Sequence, residues 1–155
     1  EFNPFQLVMN RGHYYLVGNH ENYDDMSTLR VDRIAHITVL SERRKPLREI
    51  KGYQQQRTFN VSQYVKEHIY MFGGESITVS FKAKRSIVNQ ILDWFDGNVE
   101  FSDVTPDDVV CRVRVNHHAF KYWALQYMQS VKVLSPASLV TEVKEAIKEG
   151  LQQYS

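Results

Sequence analysis

Residues 13–34 read HYYLVGNHENYDDMSTLRVDRI and hold the chain's clearest chemical grouping. Tyr14 and Tyr15 stand on one strand-forming run and Arg30 and Arg33 on a second, with a polar loop between them. A guanidinium is a planar fork of N–H donors that fits a phosphate or carboxylate, and a tyrosine offers a ring face and a hydroxyl. Strict alternation over LRVDRI puts Leu29, Val31 and Arg33 on one face and Arg30, Asp32 and Ile34 on the other. One arginine then shares a face with apolar residues, and near a core it must be paired or line a cleft. Two readings follow: a structural bridge to Asp32, Asp24 or Asp25, or a pocket in which the arginines receive an anion beside Tyr14 or Tyr15.

Other groupings carry less chemistry. The chain has no glycine-rich phosphate loop, nucleophile elbow or His-x-x-x-His pair. His117 and His118 are adjacent and would point about 100° apart on a helix, which suits capping or surface roles better than a shared metal. Asp24–Asp25 and Asp107–Asp108 read as solvated turns. No enzyme, metal or cofactor is expected. Arg112 and Arg114 alternate with valines in DVVCRVRV, so they read as a solvated face or as a nucleic-acid contact. Trp94 and Trp123 lie beside apolar neighbours and read as packing residues.

The elements that position these residues fall into two kinds. Residues 1–41 read as β, with FQLVM, YYLVG and AHITVL separated by turn residues and Gly12 in a tight hairpin turn. Residues 42–57 carry six basic and two acidic residues with Pro46 and Gly52, so they read as a linker. A helix follows, capped by Asn60 or Ser62, with Val61, Tyr64, Val65, Ile69 and Phe72 at helical spacing and a stop at Gly73–Gly74. The expected division is 1–41, a linker and helix at 42–75, and 76–155. From Ile77 onward the order is strand, helix, strand, strand, helix, strand, then a last helix. That is the split βαβ, or ferredoxin-like, arrangement. The last helix is expected to use Ser135 as N-cap and Pro136 as first residue, with Leu139, Val143, Ile147 and Leu151 as its apolar stripe.

Composition restrains the partners. The net charge of +1 steers the whole molecule to neither nucleic acid nor membrane, so any electrostatic function needs local clustering. With a 43% apolar and 24% charged share, the chain fits an ordinary globular protein. One cysteine, Cys111, excludes an internal disulfide and fits a reducing compartment. No membrane-spanning run and no signal peptide is visible, so a cytoplasmic location is expected. Glu1 stands where an initiating methionine would, which suggests a piece of a longer protein.

HYYLVGN, a polar loop and TLRVDRI together resemble the WYL domain of bacterial transcriptional regulators. The Trp-Tyr-Leu triplet that names that family is matched by Tyr14, Tyr15 and Leu16, with tyrosine in place of the tryptophan. Pro4 and Leu7 match its preceding strand, and Arg30, Arg33 and Ile34 its closing strand. VKVLSPASLVTEVKEAIKEGLQQY is similar to the usual end of the extension that follows. The resemblance implies an α+β protein: a partial Sm-like (SH3-type) small β-barrel, N-terminally truncated, followed by a ferredoxin-like βαββαβ domain with a C-terminal helix. It implies effector sensing, with an anionic small molecule or single-stranded nucleic acid bound by Tyr14, Tyr15, Arg30, Arg33 and His20. It also implies a homodimer that meets DNA through an absent N-terminal helix-turn-helix. The alternatives are a dimerisation module without a ligand, and a nucleic-acid-binding accessory domain using Arg112 and Arg114.

Overall fold

The computed structural model describes residues 1–155, which form two units, Glu1–Glu75 and Ser76–Ser155. It is an α+β protein with two antiparallel sheets.

In the first unit, β1 (Phe2–Asn10), β2 (His13–His20) and β3 (Ser27–Arg30) form a three-stranded sheet in the order β1-β2-β3. The two-residue turn between β1 and β2 places Arg11 at φ 48° and Gly12 at φ 81°. Positive φ at both central residues matches the twist of the flanking strands. Gly18 answers a different need. A Cβ there would stand 2.4 Å from the Asn3 carbonyl oxygen and 2.5 Å from the Phe2 ring, so only glycine lets β1 and β2 approach.

Residues 42–75, expected to be a linker and helix, instead cover one face of this sheet. Leu47, Ile50, Tyr64 and Met71 are buried with Val8, Val17 and Met26. The basic character of the segment concealed this. Leu47 and Ile50 recur three residues apart and turn inward, while Arg43, Arg44, Arg48 and Lys51 stay exposed. The Arg44 guanidinium sits 4.4 Å over the Phe5 ring. Backbone bonds from Lys51 N to Asp24 O (2.7 Å) and from Gly74 N to Met26 O (3.1 Å) tie the segment to the β2–β3 loop.

Two other expectations are corrected here. α1 (Val61–Glu67) starts as expected, with Asn60 Oδ1 accepting the Gln63 N–H at 3.1 Å, but it ends before the glycines. His68 closes it. The ring stacks on Tyr64 at 3.8 Å, and Nδ1 lies 2.8 Å from the Tyr64 carbonyl oxygen. Ile69 and Phe72 therefore lie past the helix. Likewise LRVDRI is not one strand. β3 stops at Arg30, Val31–Arg33 form a single 3-10 turn, and AHITVL (35–40) is not a strand. β-branched residues need a ladder to pair with, and no strand neighbours this stretch. Ile37 and Val39 are left exposed.

The second unit runs β4 (Ser76–Lys84), α2 (Val88–Phe95), β5 (Val99–Ser102), β6 (Asp108–Asn116), α3 (His117–Gln126), β7 (Val131–Ser135) and α4 (Ala137–Gln152). All neighbouring strands are antiparallel, in the order β5-β6-β4-β7, as a split βαβ arrangement gives. Period-two alternation turns Val79, Phe81, Val109, Cys111, Val113 and Val115 inward. Phe81 meets Phe95 of α2 and Phe120 and Trp123 of α3, with ring centroids 5.3–6.2 Å away, so both helices cover the same face. Trp123 is fully buried, as its apolar neighbours suggest. Asn116 Oδ1 caps α3 by accepting the Ala119 N–H at 3.0 Å.

α4 departs from its expected start and stripe. Pro136, not Ser135, occupies the N-cap, and no side chain caps the helix. Leu139 and Val143 are buried, but Ile147 and Leu151 are 40% and 68% exposed, so only the first half of the stripe reaches the core.

A candidate anion-binding site at the end of β3

Backbone register decides which of the candidate residues meet. Tyr15 of β2 lies directly opposite Arg30 of β3, and Val17 opposite Thr28, so all four share the face that meets the core. Tyr14 pairs with Met9 and points to the other face, where it is exposed. The adjacent tyrosines therefore do not act together: Tyr15 is the one beside an arginine. His20 is five residues along β2 from Tyr15, about 17 Å at strand rise, and also has the opposite parity. Its ring lies 5.3 Å from that of Tyr23, and Nδ1 accepts the Asn22 N–H at 3.3 Å. The structure does not bring His20 to the arginines.

Arg30 is held by a local fork. Its Nε lies 2.9 Å from Asp32 Oδ1 and its Nη2 2.6 Å from Asp32 Oδ2. This geometry is available because the 3-10 turn after β3 folds Asp32 back; in a strand the two side chains would run parallel. The guanidinium's hydrogen bond holds the Asp32 carboxyl down at about 2, and the same bond raises Arg30. Asp24 and Asp25 take no part in this bridge. Arg30 remains one quarter exposed and Asp32 about half. Arg33 is exposed and makes no ion pair. One guanidinium is thus pre-oriented by a carboxylate and a second, three residues on, is open to solvent.

Sequence reasoning missed the residues that support this end of the sheet. The Thr28 hydroxyl is 2.8 Å from Tyr64 Oη, and burial pushes the Tyr64 hydroxyl up to about 12. This bond joins β3 to α1 two residues before Arg30. Asn19, fully buried, donates through Nδ2 to the carbonyls of Tyr23 (2.7 Å) and Asp25 (2.8 Å), and so shapes the loop leading into β3. A polar residue at an inward strand position was the available signal, since a buried amide N–H seeks acceptors.

Arg112 and Arg114 lie on the exposed face of the second sheet, as their alternation predicts. They line a shallow depression of about 180 Å³ with Thr78, Asn98, Glu100 and Val113. The His117 ring lies 5.6 Å from that of His118. Its Nε2 lies 2.9 Å from Glu142 Oε1, off the line of a hydrogen bond. Cys111 is buried, and burial pushes its thiol up to about 11, so it is a packing residue. No helix is long and apolar enough to cross a membrane.

Comparison with known proteins agrees with this division of the chain. The WYL domain model matches residues 1–39, and the WCX domain model matches residues 73–151, more than half of the 155 residues. No curated protein matches. Among solved structures, a CRISPR Cas-related protein aligns over 99% of this chain and 43% of its own, with a TM-score of 0.52 and 15% identity, a likeness of fold. Proteasome accessory factor B/C (PafBC) of Arthrobacter aurescens aligns over 99% of this chain and 22% of its own, with a TM-score of 0.48 and 17% identity. The chain spans less than half the length of either. With a WYL domain followed by a WCX domain, the chain belongs to the family of WYL-domain proteins that carry the WCX extension.

Proposed function

We propose that this chain is the ligand-sensing module of a bacterial transcriptional regulator, and that it binds an anionic effector, a nucleotide or single-stranded nucleic acid, at Arg30 and Arg33. The observation that carries the proposal is the pair of guanidinium groups at the end of β3, one oriented by Asp32 and one free, inside the matched WYL domain. Arg33 supplies the first contact. Arg30 joins when the incoming anion shares or displaces Asp32, and Tyr15, directly opposite, offers a ring edge or hydroxyl. The effector acts by preferring one arrangement of a dimer over another, because a ligand shifts an equilibrium only through its differential affinity. In the parent protein that dimer would carry the DNA-binding domains.

Dimerisation belongs to the same proposal and has its own support. Register places Leu7, Leu16 and Leu29 in one row across the first sheet, with Met9 and Tyr14 beside them, on the face away from the core. Leu7, Met9 and Tyr14 are each more than half exposed, and a contiguous apolar face of this kind favours association. Thermal unfolding with and without adenosine monophosphate or oligothymidylate tests effector binding. A native-state ligand raises the midpoint with concentration, and no shift with either probe counts against the proposal. Light scattering gives the oligomeric state in the same samples.

A further inference from the structure

The open face of the second sheet presents an array of cations. Period-two alternation brings Lys82 and Lys84 of β4, Arg112 and Arg114 of β6 and Lys132 of β7 to the side away from α2 and α3, and all five are exposed. Glu100 and Asp108 stand on the same face. Lys82 lies directly across from Lys132 in the ladder. Like charges in that position destabilise a sheet. Asp108 answers Lys82 at 2.6 Å, and Lys132 has no such partner. Arg112 stands opposite Glu100 without closing an ion pair on it. Arg112 and Lys132 thus stand without a counter-charge on a face that carries three further cations.

Charge complementarity selects a polyanion, and the rest of the face selects its kind. No aromatic side chain lies on it, so bases would find no stacking platform, and no aromatic or long apolar cluster is present to enter a lipid surface. Arg112 and Arg114 are two residues apart on one strand, about 7 Å, and Lys82 and Lys132 extend the array across neighbouring strands about 5 Å apart. Thr78 and Asn98 add polar groups to the depression between Arg112 and Arg114. We infer that this face is a sequence-independent docking surface for the phosphate backbone of nucleic acid. It holds the backbone by charge and leaves the bases turned outward. This inference does not depend on the effector reading of Arg30 and Arg33.

The test is fluorescence anisotropy of labelled oligothymidylate with the full chain across a potassium chloride series. Arg112→Ser and Lys132→Ser should each weaken binding by up to about fivefold, the reach of an exposed charge pair. Each should also flatten the log–log salt slope by about 0.7. Glu100→Gln should tighten binding, a gain that misfolding cannot produce. If Arg33→Ala abolishes binding while the Arg112, Lys132 and Glu100 variants match the wild type, the polyanion sits on the first unit and this inference fails, although the effector reading stands. If the Arg112 and Lys132 variants lose binding while Arg33→Ala does not, the reverse holds. Binding to phosphatidylserine vesicles in place of oligonucleotide would also overturn it.

Discussion

Replacing Asp32 by asparagine keeps the shape of the side chain and removes its charge. In the native pair both carboxylate oxygens are used, at 2.9 and 2.6 Å, so asparagine retains one acceptor of the fork and loses the other. Arg30 is then less firmly held, and the competing anion is gone. Solvent screens this pair, because Asp32 is more than half exposed, so the gain is modest. An exposed ion pair shifts an equilibrium by up to about fivefold, and we expect Asp32→Asn to tighten adenosine monophosphate or oligothymidylate binding by about two- to fivefold. Calorimetric titration at low salt measures this directly, and the advantage should shrink as salt rises. Unchanged or weaker binding, with the fold intact by circular dichroism, would mean that Arg30 serves only its bridge to Asp32 and contacts no effector.

Further outcomes follow from the same geometry. Arg33→Ala should weaken effector binding and flatten its salt slope by about 0.7, with the unfolding midpoint unchanged because the side chain has no partner to lose. The Asp32 carboxyl sits at about 2 in the fold against an ordinary 3.8, so its contribution is fully present above pH 3.8 and disappears as pH falls through about 2. Acid titrations of the wild type and Asp32→Asn should therefore converge at the low end. Gly18→Ala places a Cβ 2.4 Å from a backbone oxygen and should cost about 1–3 kcal/mol by chemical denaturation of the first unit. Tyr64→Phe removes the bond to Thr28 and should cost about 0.5–1.5 kcal/mol while raising amide exchange in β3.

The second unit was the more legible from sequence. Its strands pair locally, alternate strictly and bury one face each, so the positions of Val79, Phe81, Val113 and Val115 follow from period two. Arg112 and Arg114 were placed on the open face for the same reason. The first unit resisted for two physical reasons. Residues 42–75 hide two inward aliphatics, Leu47 and Ile50, among basic residues, and a charge-rich composition reads as a linker unless the three-residue spacing is noticed. Residues 31–40 have strand-like composition but no partner strand, and pairing lies outside a single segment's sequence. The candidate site shows the same divide. That arginines and an aspartate cluster there, with a bridge to Asp32 as one reading, was legible; that a 3-10 turn would give that bridge to Arg30 and leave Arg33 outside it was not. His20 shared a motif with the site residues, and strand length carried it away from them.

Hydrogen exchange of the full chain with and without oligothymidylate tests the central claim most directly, because it reports where the ligand acts as well as whether it binds. Binding at the arginines predicts slowed exchange at Tyr15 and across Thr28–Ile34, lost in Arg33→Ala. Protection confined to other segments, or none at saturating oligonucleotide, would contradict it.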